Sequence, residues 1–347
     1  MLFRSGRLYT MFRRGGDDDV VVALDAATGA KIWELVYPAP AIAEQVTRFG
    51  SGPNATPLII GDHLVTVSAS AIVSGVDKNT GIRLWSHDLQ AEYGGQLPRH
   101  GYAAAPIAVD GMAVVLAGGA HGAVGFAPST GEKRWASAPS EVAYATPMVI
   151  DVGGDRQLVY MSPDEVVGVG LDDGAVRWRH PHVNQWKTNC LGPWWGEDGL
   201  LLVSSGGDAG SRTLKLTRAG GETAVEEVSA SNKFQLSHST PLRLGARVYG
   251  ASGKYLAAYD VNSGEILWRE EGYKKANLML AGDRVLALDE AGTLSLLTLT
   301  PDELVVHASH PLLSKPAWSP PTLVGTRLFA RDTERLVALE LGAPSTN

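Results

Sequence analysis

Short runs of β-branched and aliphatic residues, each closed by a cluster of Asp, Asn, Thr, Ser and Gly, recur along the whole chain. Residues 20–24 (VVVAL) lead into Asp25, Thr28 and Gly29, and a second short run then ends on Trp33. Apolar runs of this length between turn residues predict strands. An Asp that bonds the amides just ahead of it, with a Gly free to take positive φ, predicts the hairpin that joins them. Almost the same phrase returns as GVDKNTGIRLW and AAYDVNSGEILW. The offset from glycine to tryptophan is constant: Gly29 to Trp33, Gly81 to Trp85, Gly131 to Trp135, Gly174 to Trp178 and Gly264 to Trp268. Five of the nine tryptophans therefore share one duty.

A second phrase opens five of the units: ATPLII at 55, AAPIAV at 104, ATPMVI at 145, STPLRL at 239 and SPPTLV at 319. Proline is tolerated at the first residue of a strand, so these phrases predict innermost strands. Two further strands follow each, and the tryptophan phrase supplies the fourth. A period of roughly 40 to 50 residues with about four strands predicts a β-propeller blade. Laid end to end, the units fall near 1–36, 55–89, 104–139, 145–181, 192–229, 239–271, 276–309 and 317–342. The expected fold is all-β: one domain, 1–347, an eight-bladed propeller of four-stranded antiparallel blades with the first and last incomplete. The first blade offers at best MLF as its inner strand, and the eighth lacks an outer one. The fifth is degenerate, with Gly221 and then Val225 where tryptophan is expected, and the seventh has no glycine–tryptophan pair.

Composition narrows the function. A net charge of −7 and pI near 5.7 give no basic stripe, so nucleic acid is not an expected partner. Cys190 is the only cysteine, which excludes an intramolecular disulfide and any cysteine-pair metal motif. The N-terminus, MLFRSGRLYTMFRRGG, holds no apolar stretch of secretory type, and no segment reaches membrane-span length.

The pattern A-x-D-x-x-T-G-x-x-x-W, matched in full by Ala23, Asp25, Thr28, Gly29 and Trp33, together with eight units, resembles the repeat propellers of the pyrroloquinoline-quinone (PQQ)-like class. The sequence is similar to the bacterial members grouped with BamB-type outer-membrane assembly lipoproteins. The resemblance implies that Trp33, Trp85, Trp135, Trp178 and Trp268 dock between blades. It also implies a non-catalytic binding or assembly scaffold in the cell envelope or periplasm. The enzyme branch, the quinoprotein dehydrogenases, typically carries an adjacent cysteine pair and a calcium-bound acidic base. A single cysteine cannot form that pair. No bound cofactor is therefore expected, and PQQ with calcium, in an alcohol- or sugar-oxidising or carbohydrate-active enzyme, is the alternative.

In this topology the segments crossing from one outer strand to the next inner strand converge on one face. They nominate Arg48, Asn54, His100, Tyr102, Tyr144, Trp186, Lys187, Thr188, Asn189, Lys233, Phe234, His238, Tyr273, Lys274, Lys275 and Trp318. Rings stack, cations pair with carboxylates and amides orient, so the expected occupant of this mouth is a protein partner or a small polar ligand on a monomer. Packing of the crossings against one another is the competing reading. Trp194 and Trp195 are expected in the core. His180, His182 and the Asp17–Asp18–Asp19 run are expected at the surface, where they are weak metal candidates.

Overall fold

The computed structural model describes residues 1–40 and 50–342, with eight antiparallel sheets in chain order: 2–38, 58–88, 107–136, 148–181, 194–231, 242–271, 277–311 and 322–340. The fold is an eight-bladed β-propeller. Seven sheets have four strands and the eighth has three. The first blade is complete, contrary to the sequence expectation: Leu2–Arg4 pairs with the next strand as Leu2↔Tyr9, Phe3↔Leu8 and Arg4↔Arg7. The reason is that Ser5 and Gly6, both at positive φ, turn the chain at once, so three residues suffice for an inner strand.

Two compact units divide the blades. Met1–Pro193 with Leu216–Val225 holds blades one to four and the tip of the outer hairpin of blade five; Trp194–Lys215 with Glu226–Asn347 holds the rest. In the first unit, apolar residues from blades two to four form one core, including Val115, Phe126, Leu158 and Val167, each fully buried. In the second, Tyr249, Leu256, Leu278 and Leu297 join blades six and seven.

The repeated phrase builds the hairpin between the third and outer strands. Asp25 Oδ1 accepts from Ala27 N, Thr28 N and Thr28 Oγ1 at 3.0, 2.8 and 2.8 Å; Asp77 does the same for its own turn, and Asp260 accepts the two amide bonds from Asn262 and Ser263. These bonds hold the Asp25 and Asp77 carboxyls below their ordinary range. A β-bulge follows each turn: Gly75 faces Trp85 but Val76 faces Arg83, so Leu84 is the extra residue. The bulge recurs with Ala23, Gly125, Gly168 and Ala258 facing Trp33, Trp135, Trp178 and Trp268. The facing residue is always small, and at Gly75 and Gly168 the ring lies over it. A Cβ on Gly75 would meet Trp85 at 2.1 Å. Blade seven keeps the bulge but inverts the volumes, with Leu296 facing Ala308.

Two surface assignments need correction. Asp19 is buried and ion-paired to Arg13 at 2.9 Å, because it lies inside the strand Asp18–Asp25 and not at a hairpin tip. His182 is also buried. Trp194 and Trp195 form a short inner strand and are half-buried.

Candidate binding site

In each unit, the turn between the second and third strands of a blade meets the crossing segments, and backbone bonds fix the meeting. In blade seven, Glu290 N donates to Lys274 O at 3.0 Å and Ala317 N donates to Glu290 O at 3.1 Å. One turn residue is thus clasped between the crossing that enters the blade and the crossing that leaves it. Side chains follow. Lys275 Nζ (2.6 Å) and Trp318 Nε1 (2.8 Å) donate to Glu290 Oε1, while Lys274 Nζ lies 2.8 Å from Oε2. Lys275 Nζ also stands 4.3 Å from the centroid of the Trp318 ring, a cation–π contact. His238, from the crossing into blade six, meets the same indole edge-on with centroids 5.9 Å apart. Asn277 locks the backbone around them, donating to Trp318 O at 3.3 Å and accepting from Thr240 N at 2.9 Å.

The electrostatics follow from this geometry. Burial pushes the Glu290 carboxyl up, but hydrogen bonds from Lys274, Lys275 and Trp318 outweigh it and bring it down to about 2. The packed surroundings of His238, and then the Lys275 cation, bring its imidazole down to about 4 against the pull of Glu290, although part of the ring stays open to solvent. At neutral pH the cluster is a saturated carboxylate, two ammonium groups, a neutral imidazole and a fixed indole. Lys275 holds φ +52°, in the left-handed region that costs a side-chain-bearing residue free energy.

The first unit repeats the scheme with other residues. In blade four, Ala143 N donates to Met161 O at 3.1 Å from the incoming crossing, and Asn189 Nδ2 donates to Ser162 O at 2.8 Å from the outgoing one. Lys187, also at positive φ, lies 3.1 Å from Asp164 on that turn. Trp186 is 59% exposed, and its backbone N–H donates to Asn184 Oδ1 at 3.0 Å. His100 N donates to the Tyr144 hydroxyl at 3.3 Å, and Asn54 Nδ2 donates to His100 O at 3.3 Å.

The nominated residues therefore separate. His238, Lys274, Lys275 and Trp318 come together in the second unit. Asn54, His100 and Tyr144 come together in the first, and Trp186 and Lys187 share a segment there. Tyr102, Asn189 and Phe234 are buried and spent internally. The Tyr102 hydroxyl accepts from Leu116 N, Asn189 fastens its own loop, and Phe234 stacks on Tyr259 at 4.5 Å. Arg48 lies outside the described residues. Glu290 and Asp164 are absent from the nominated residues because they lie on turns between second and third strands, not on crossings. The signal was present, since every turn between second and third strands falls on the same side of its blade as the crossings.

A sequence family described as outer membrane protein assembly factor BamB matches residues 16–191, just over half of the chain. No curated protein matches. The fold is similar to BamB from Moraxella catarrhalis, at 14% identity and TM-score 0.59, covering 97% of this chain and 99% of that one. It is also similar to quinohemoprotein alcohol dehydrogenase from Comamonas testosteroni, at 13% identity and TM-score 0.58, covering 93% and 68%. A europium-containing methanol dehydrogenase shares 13% identity at TM-score 0.55, covering 85% and 72%. At such identities the likeness is one of fold.

Proposed function

Because this chain belongs to the family described as outer membrane protein assembly factor BamB, we propose that it is a non-catalytic scaffold in the cell envelope that binds a partner protein through its crossing segments. The observation that carries this reading is the commitment of Glu290. Both of its oxygens are engaged by Lys274, Lys275 and Trp318. A carboxylate so occupied fixes an indole and two cations in place and is poorly suited to accept a proton. A tryptophan held rigid in this way is a side chain that protein interfaces use as an anchor. Lys274, whose side chain is 64% exposed, supplies the outward charge.

A quinoprotein reading requires oxygen ligands free to hold a divalent cation. These residues do not fit one: the Glu290 oxygens face two ammonium groups, and among the described residues no group of three His, Cys, Asp or Glu gathers.

Photo-crosslinking tests the proposal. A benzophenone amino acid at position 318, in cells of the parent organism, is expected to give one discrete adduct with an envelope protein, identified by mass spectrometry and lost on Lys274→Glu. The same probe at Val176, on a blade-four outer strand, is expected to give none. Absence of a discrete adduct at 318, or dye-linked oxidation of alcohols or sugars by purified protein given PQQ and calcium, would overturn the reading.

A further inference from the structure

Three interfaces between successive blades show what normally fills them. Trp33 Nε1 donates to Lys78 O, Trp85 Nε1 to Pro128 O and Trp268 Nε1 to Thr300 O, at 2.9, 2.8 and 2.9 Å. The motif glycine of the following blade lies under the ring: a Cβ on Gly81 would sit 2.6 Å from Trp33, and one on Gly131 2.7 Å from Trp85. Between blades five and six the ring is missing. Ser229 Oγ donates to Val261 O at 2.8 Å. Val261 follows Asp260 as Lys78 follows Asp77, so Ser229 makes the bond an indole makes elsewhere. What a Cβ on Gly264 would meet is the Ser229 Cβ at 3.1 Å. Sequence spacing had placed this substitution at Val225; the outer hairpin of blade five is longer, with strands Gly210–Ala219 and Glu222–Ser231, and carries the position four residues on.

At this interface lies an open groove of about 1160 Å³ whose walls include Asp208, Arg212, Asn232, Lys233, Trp268 and Arg269. Its charges are not balanced internally. Arg212 has Glu227 at 3.5 Å. The Arg269 guanidinium donates to a backbone carbonyl, Lys233 O at 2.9 Å. Among the described residues no ion pair joins a carboxylate to Lys233 or to Arg269, whereas Lys78, Arg177, Arg218, Arg243 and Lys254 all have one. Lys233 and Arg269 thus line one groove, joined through the Lys233 carbonyl, with neither cation paired to a carboxylate.

We propose that this groove is a second binding surface, for an extended acidic segment of a partner protein, whose carboxylates meet Lys233 and Arg269 while an apolar side chain packs on the Trp268 wall. A groove that is open and polar suits a chain laid along it better than a small molecule enclosed within it. Charge complementarity selects the acidic sequence, and Asp208 and Glu265, which also line the groove, disfavour a segment of uniform charge along its full length.

Fluorescence anisotropy with labelled Ser-Trp-Glu-Ser-Glu, its charge confined to one end, against its Ser-Trp-Lys-Ser-Lys counterpart, tests this on the whole protein. The acidic peptide is expected to bind and the basic one not. Lys233→Glu with Arg269→Glu is expected to weaken the acidic peptide about tenfold or more. Should that double variant unfold, Ser229→Trp, which places a ring at the interface, is expected to block the peptide. Amide exchange locates the footprint, expected at 229–233 and 264–269. No binding, equal binding of both peptides, indifference to the substitutions, or a footprint elsewhere would each overturn the proposal.

Discussion

Trp85 shows what one residue contributes here. Its ring rests on Gly131 of the next blade, its N–H is spent on Pro128 O, and Gly75 behind it has no side chain to fill the space. Trp85→Ala should leave a cavity and cost about 3–5 kcal/mol. Trp318→Ala should cost clearly less: both indoles are half-buried, but Trp85 is wedged against Gly75 and Gly131 whereas Trp318 is faced by the Lys275 cation and can be replaced there by water. Thermal melting compares the two, and equal losses would show that the site tryptophan is as structural as the interface one. The spacing of the five tryptophans was legible in the sequence because a fixed offset from a turn glycine is a purely local signal. Their shared docking role was not: Trp33, Trp85 and Trp268 donate to the next blade, whereas Trp178 donates to Gln157 of its own. Glu290 was not: its importance comes from Lys274 and Trp318, brought to it from the segments on either side of the blade. Asp19 was misread for the same reason, since its burial depends on Arg13 across a strand pair.

At the level of the hairpin, the glycine of the motif meets two demands that can be separated. Gly81 and Gly264 hold nearly the same φ, +77° and +75°, so alanine at either should cost about 1–2 kcal/mol in backbone strain. Only Gly81 lies beneath an indole. Gly81→Ala should therefore lose at least about 1 kcal/mol more than Gly264→Ala, from overpacking against Trp33. Urea midpoints measure the difference, and its absence would mean that the ring yields freely. Blade number and strand order were readable because most blades announce themselves with a proline start, a glycine turn or both. The exchange of volumes in blade seven, Leu296 against Ala308, was invisible without the register that sets them opposite.

Across the molecule, the eighth blade differs from the rest. Its third strand, Leu336–Glu340, pairs with Arg327–Arg331 on one side, and among the described residues no strand covers the other. Its residues are half-exposed, whereas the corresponding strand of blade two, Ile72–Asp77, is buried through its middle. Amides at 336–340 that face away from their partner should exchange markedly faster than those at 63–67. Protection throughout the strand would show that another segment covers the edge. The bonds made at the tryptophan position between blades also have a direction. From Trp33 to Lys78, Trp85 to Pro128, Ser229 to Val261 and Trp268 to Thr300, the donor always belongs to the earlier blade and the acceptor to the later one. Such a chain has polarity, like a filament subunit with a head and a tail. A fragment released by cutting between blades would carry a bare indole at one end and a vacant carbonyl at the other. Two copies of it complement each other head to tail, the geometry that grows open polymers when it fails to close into rings.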